Sequence, residues 1–179
     1  MNAATHRQFG EIAMRFLLGL FMLVVSAAEL SAQRANVHAA QITWFGAYEV
    51  SQVKIIDDPT QASGKRREGG TIKPPGSNHD RIELVGGRYF GFGYRLLGSP
   101  AGAQVPLKYV RTYPAPGFIH QQTGKYVTRD EQDLNLNIGQ PDLFMGYVLS
   151  SDAPLGTFTF QIWHGNSLLV EKAFTVYRP

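Results

Sequence analysis

The stretch GGRYFGFGYRLLG, Gly86 to Gly98, has the glycine density of a phosphate-cradling loop. A dinucleotide fingerprint needs three glycines at fixed spacing, opening a helix after a strand. A P-loop needs a Lys-Ser/Thr pair behind its glycines. Here the glycine after Gly91-Phe92-Gly93 is Gly98, and no Lys-Ser/Thr follows. The pattern is period two instead. Phe90, Phe92, Tyr94 and Leu96 fall on one face, and Tyr89, Gly91, Gly93 and Arg95 on the other. That is the signature of a half-buried strand. Its bare glycine face lets a cross-strand ring or another chain approach closely.

Other chemistry-bearing residues are scattered. The histidines His6, His38, His79, His120 and His164 have no metal-ligand spacing, so they read as exposed loop residues and no metal is expected. Asp130, Glu131 and Asp133 have the carboxylates for acid/base work or calcium, but no glycine follows at the sharp-turn position of a calcium loop. They read as a solvated turn, and Asp57-Asp58 before Pro59 likewise as turn chemistry. Ser63 and Ser77 lack the glycine elbow of a hydrolase nucleophile. With no cysteine there is no disulfide, thiol nucleophile or thiolate site. No catalytic constellation or cofactor is expected.

What remains is surface for binding. Lys65, Arg66 and Arg67 form a basic cluster able to touch phosphates, acidic glycans or headgroups. Trp44, Tyr48, Tyr89, Tyr113, Tyr126 and Trp163 are candidates to point away from the core and stack on a sugar or a protein. The residues expected to contact a partner or ligand are Trp163, Tyr89, Lys65, Arg66 and Arg67.

The elements that must position these residues begin with an address. Arg15 precedes an apolar run from Phe16 to Val25 and then small residues, the layout of a secretory signal peptide. The run is shorter than the ~20 residues of a membrane span. Residues 1–32 are read as a signal helix, with Met14 as an alternative start and cleavage after Ala28 or Ala32. Residues 33–179 form one domain, with no membrane anchor left after cleavage. A strand is expected over Ile42–Ile56, broken near Gly46. Residues 57–80 read as a long polar loop with a short edge strand at Thr71–Lys73. Strands follow at Val105–Tyr113, Gln132–Ile138 and Leu143–Leu149, the last apolar enough for a central strand.

The C-terminal TFTFQIWHGNSLLVEKAFTVY reads as a hairpin. A three-residue Gly165-Asn166-Ser167 loop pairs Phe158 with Phe174 and Ile162 with Val170. It puts Leu168 on the apolar face and runs the stem of Lys172 along the edge. At least six strands and no helix after the signal predict an all-β antiparallel sandwich.

The bulk numbers agree. Hydrophobic residues are 44% and aromatics 12%, enough for a core, while 19 glycines and 10 prolines favour many turns. A net charge of +3 is too mild for a dedicated nucleic-acid binder.

The strings FGFGYRLLGSPAG, VPLKYVRTYPAPG and PLGTFTFQIWHGNSLLVEKAFTV resemble domain of unknown function 3859, a bacterial family, over roughly residues 42–176. Pro154, Gly156, Phe158, Phe160 and Ile162 follow its C-terminal hairpin, closing on Phe174 and Val176. Leu155 separates Pro154 from Gly156, and Phe158 stands where that family often has tryptophan. The resemblance implies an immunoglobulin-like fold and carries no catalytic residues. The expected protein is a periplasmic or secreted, non-catalytic module that binds another envelope protein through a sheet edge or an aromatic face. A carbohydrate-binding module using outward aromatics, with a glycan as partner, is the alternative.

Overall fold

The structure is a computed structural model and describes residues 35–59, 65–119 and 123–179, with only the backbone of 65–67. The signal segment, Ser63 and His120 lie outside the described residues. Ala35–Pro179 forms one compact unit. Its strands in chain order are β1 (Asn36–Ser51), β2 (Lys54–Asp57), β3 (Lys65–Glu68), β4 (Thr71–Lys73), β5 (Arg81–Glu83), β6 (Tyr89–Ser99) and β7 (Gln104–Thr112). They continue as β8 (Phe118–Ile119), β9 (Tyr126–Val127), β10 (Arg129–Asn137), β11 (Leu143–Val148), β12 (Gly156–His164) and β13 (Ser167–Tyr177). Among the described residues no helix is long and apolar enough to cross a membrane.

Two sheets form an all-β, immunoglobulin-like sandwich. One has the order β11-β6-β1-β4 and the other β10-β7-β12-β13-β5. Pairing is antiparallel except for β13 with β5. The alternation of β6 aims Phe90, Phe92, Tyr94 and Leu96 inward, where each is 1% exposed or less. Phe90 sits among Phe158, Phe160 and Phe174 at centroid distances of 5.4, 5.5 and 5.4 Å. Each buried phenylalanine contributes about 1.5–3 kcal/mol of transfer free energy. Two further antiparallel sheets of two strands each, β2–β3 and β8–β9, accompany the sandwich.

Several expectations are revised. The first strand runs on through Gly46, whose φ of 137° suits glycine, and breaks instead at Gln52, with φ 57°. The polar stretch after Asp57 contains β3, so the basic cluster lies in a hairpin with β2, not a loop. Asp130, Glu131 and Asp133 lie in β10, not in a turn. In the final hairpin Phe158 faces Phe174 and Ile162 faces Val170, as expected, but His164 pairs with Ser167 across a two-residue turn. A bulge absorbs the extra residue, so Leu169 packs on the core and Leu168 is 45% exposed. The apolar Leu143–Val148 strand is not central: β11 ends its sheet.

Candidate functional site

The two lateral sides of the sandwich are finished differently, and that difference defines the site. On one side, β4 pairs with the end of β1. Beyond it the outward groups of β1 are capped by the Pro74–Asp80 connection. The Phe45 amide donates to Asn78 Oδ1 (2.9 Å), and the Phe45 carbonyl accepts from the His79 amide (3.2 Å). The Ala47 amide donates to His79 Nε2 (3.0 Å), while His79 Nδ1 lies 2.8 Å from the Ser77 carbonyl. These contacts leave Nε2 as the acceptor and Nδ1 as the donor. Lys172 lays its stem along the same side and holds Nζ 3.9 Å from the Phe45 ring centre. Side chains thus do what a further strand would do.

On the opposite side, β10 and β11 end their respective sheets. β10 is guarded by charge. Arg129 reaches Glu131 at 2.8 Å and Lys108 reaches it at 3.1 Å, and these bonds hold the exposed Glu131 carboxyl below the usual range. Charged edges of this kind resist accidental pairing. β11, LFMGYV, carries no charge. Its alternate residues bond to β6, as the Leu149 amide does to the Arg88 carbonyl (2.9 Å) one step further on. Antiparallel alternation therefore turns the amides and carbonyls of Phe144, Gly146 and Val148 outward. Among the described residues, no strand covers them. The Tyr109 hydroxyl reaches the Phe144 carbonyl at 3.4 Å.

A groove of about 970 Å³ runs along both sides of this edge. On the outer side lie Tyr48, Tyr89, Val53, Ile55 and Phe144. Tyr48 stands 5.8 Å from Tyr89, 6.4 Å from Phe144 and 5.4 Å from Trp44, measured between ring centres. Glycines make room for these rings. A Cβ at Gly93 would overlap the Trp44 indole, and one at Gly146 would overlap the Tyr48 hydroxyl. On the bare face of GFG, Gly93 is therefore covered by a ring of the same chain and Gly91 by the β11 backbone, and Tyr48 ends only 7% exposed although it lies on the outer face.

The inner side is more polar. Val105, Leu107, Tyr109, Arg111 and Tyr113 follow one face of β7 and its end, so the arginine points between the sheets. Its Nε donates to Asp130 Oδ1 at 2.9 Å, with the two side chains 13% and 15% exposed. Burial alone would lower the Arg111 pKa, but the Asp130 and Tyr113 partners outweigh it and raise it. The Tyr113 hydroxyl bonds the other Asp130 oxygen, and Gln132 Oε1 lies 3.5 Å from the guanidinium. Burial also pushes Tyr109 up to about 12 and Tyr94 and Tyr113 higher still. At neutral pH these hydroxyls remain donors and do not act as bases. Phe118, Ile119 (56% exposed) and Tyr126 (61% exposed) form the rim. The site can hydrogen-bond a neutral polar group beside an apolar one.

Of the expected contact residues, Tyr89 and Trp163 stand on different sheets. Tyr89 lines the groove. Trp163 points outward from β12 on the other sheet, with Nε1 donating to Gln161 (3.1 Å) and Gln161 to Glu171 (2.6 Å). Lys65, Arg66 and Arg67 pair through their backbones with β2. Tyr113, one of the candidates to point outward, is 3% exposed inside the core. Sequence reading missed Arg111, which sits at a period-two position with Leu107, Tyr109 and Tyr113, and took Asp130 for part of a turn, whereas it lies on the inward face of β10 with Gln132 and Leu134. Among the described residues no group of three His, Asp or Glu could hold a metal ion.

Comparison with solved structures bears out the fold class. The chain is similar to an immunoglobulin-like protein from Pseudomonas aeruginosa, with TM-score 0.54 and 21% identity over 82% of this chain and 100% of that one. At this identity the likeness concerns fold alone. No family model matches the chain, and no curated protein matches it.

Proposed function

We propose that this immunoglobulin-like module is exported to the periplasm or beyond, and that it binds another envelope protein along the open β10–β11 side without catalysing a reaction. The carrying observation is the contrast of edges. One lateral side is capped by Asn78 and His79, β10 is guarded by charge, and β11 presents an uncharged ladder inside a groove. The resemblance to domain of unknown function 3859 supports the same class, and the chain is a divergent member on this reading. The N-terminal arginine and apolar run support export.

The test is photo-crosslinking in intact cells from benzoylphenylalanine at Tyr126, in the groove, and at Leu168, away from it. One envelope protein captured from Tyr126 and not from Leu168 is expected. Equal capture from both, or none from Tyr126, overturns the reading. Mass spectrometry of the same material is expected to find a mature N-terminus near Glu29 or Gln33, and an intact N-terminus excludes cleavage. A glycan that changes tryptophan fluorescence in the wild type but not in Trp163→Ala would move the binding surface to the other sheet.

A further inference from the structure

We infer that the groove takes its partner as an added β-strand: an extended segment that hydrogen-bonds β11 and alternates apolar side chains with neutral polar ones. This rests on the reading above and specifies its mode.

The argument begins with the ladder. Phe144, Gly146 and Val148 turn their polar backbone groups outward at every second position. An extended chain matches that repeat, since its own groups alternate with the same period. A folded surface or a helix does not. The uncharged sequence of β11 adds no repulsion to the approach of a second strand.

The two sides of the groove then fix the chemistry. Side chains of an added strand project alternately to the two faces of the sheet. Those on the outer face meet Tyr48, Phe144 and Ile55, which favour aliphatic or aromatic groups. Those on the inner face meet Arg111, Asp130 and Tyr109. Because Arg111 and Asp130 are already an ion pair at 2.9 Å, a second charge of either sign would be unbalanced there. A hydroxyl or amide instead bonds the tyrosine hydroxyl or a remaining lone pair of the carboxylate. The occupant is therefore a strand of valine or phenylalanine alternating with threonine, serine or asparagine. The open cleft, about 970 Å³, lies within the range of ligand sites.

The probe is a capped hexapeptide alternating valine or phenylalanine with threonine, titrated into the isotope-labelled full chain and followed by amide NMR. Binding is expected to slow hydrogen exchange at Gly146 and Val148. N-methylation of the peptide at the positions facing β11 is expected to weaken binding about tenfold per lost hydrogen bond, with little effect at the intervening positions. Val148→Pro removes one outward amide of the edge without removing a β6 bond, and is expected to weaken the peptide similarly while far-UV circular dichroism stays unchanged. Equal sensitivity to N-methylation at both sets of positions overturns the added strand, as does the absence of any change at Gly146 and Val148 with millimolar peptide. If Tyr126 still captures its partner in cells, the groove remains the binding site and only the strand mode falls. If that capture fails as well, both readings fall.

Discussion

The Arg111–Asp130 pair forms the polar floor of the groove, and its removal gives the sharpest energetic test. Asp130→Asn keeps the shape of the side chain and deletes its charge. Arg111 and Asp130 are 13% and 15% exposed, so little water replaces the lost partner. The Arg111 guanidinium would then stand partly buried with no full counter-charge, and the Tyr113 hydroxyl would bond a neutral oxygen. Breaking a buried pair by removing one member costs about 3–5 kcal/mol. Residual exposure and the retained amide oxygen place Asp130→Asn at the lower end, about 3 kcal/mol. For a domain of this size that corresponds to a melting temperature lower by roughly 6–12 °C. Glu49→Gln is the contrast. It breaks the Lys73–Glu49 pair, which is 75% and 76% exposed, and is expected to cost less than about 1 kcal/mol. The double variant Arg111→Met with Asp130→Leu is expected to recover most of the loss, because an apolar pair of similar volume needs no counter-charge. Urea denaturation monitored by tryptophan fluorescence measures all four proteins. If Asp130→Asn loses no more than Glu49→Gln, the floor of the groove is solvated and the argument fails.

Two more predictions concern the same region. Gly91→Ala is expected to destabilise more than Gly93→Ala. Its Cβ would overlap the Met145 carbonyl on β11, whereas that of Gly93 meets the indole of Trp44, a side chain able to swing away. Thermal melts rank the two, Gly93→Ala alone should red-shift the tryptophan emission, and the reverse order of stability would contradict the geometry. The third concerns alkaline pH. Burial raises Tyr109 to about 12, and Tyr94 and Tyr113 further, against the ordinary value of 10.0. The folded chain therefore holds these protons longer than the unfolded chain. Their stabilisation is complete below pH 10 and falls above it, by about 1.4 kcal/mol per pH unit for each group, through pH 12. Absorbance at 295 nm should show part of the eight tyrosines ionising only as the protein unfolds. Complete ionisation below pH 11 with unchanged far-UV circular dichroism would refute the burial argument.

Much of the sandwich is legible in the chain because alternation is a local property. Phe90, Phe92, Tyr94 and Leu96 declare one buried face of a strand without reference to anything else. Phe158, Phe160 and Ile162 do the same, and their pairing with Phe174 and Val170 follows from keeping one face apolar. Two of the failures occur where the deciding partner is remote in sequence. Leu143–Val148 is apolar enough for a central strand, yet hydropathy cannot distinguish a strand covered by a sheet on both sides from one covered by rings and hairpins. The Asp130–Asp133 carboxylates look like a turn until β7 lies alongside and Arg111 reaches Asp130.

The sequence by itself determined the inward faces of β6 and β12, since alternation depends only on neighbours one to four residues away. Tertiary structure decided which strand ends each sheet, which glycines lie under rings, and where Arg111 finds its carboxylate. Those outcomes depend on contacts between segments tens of residues apart, as between Phe45 and Asn78 or Tyr109 and Phe144. The proposed binding edge belongs to this second group: β11 is open because no described strand follows it in the sheet, a property of the assembled sandwich that its six residues do not encode.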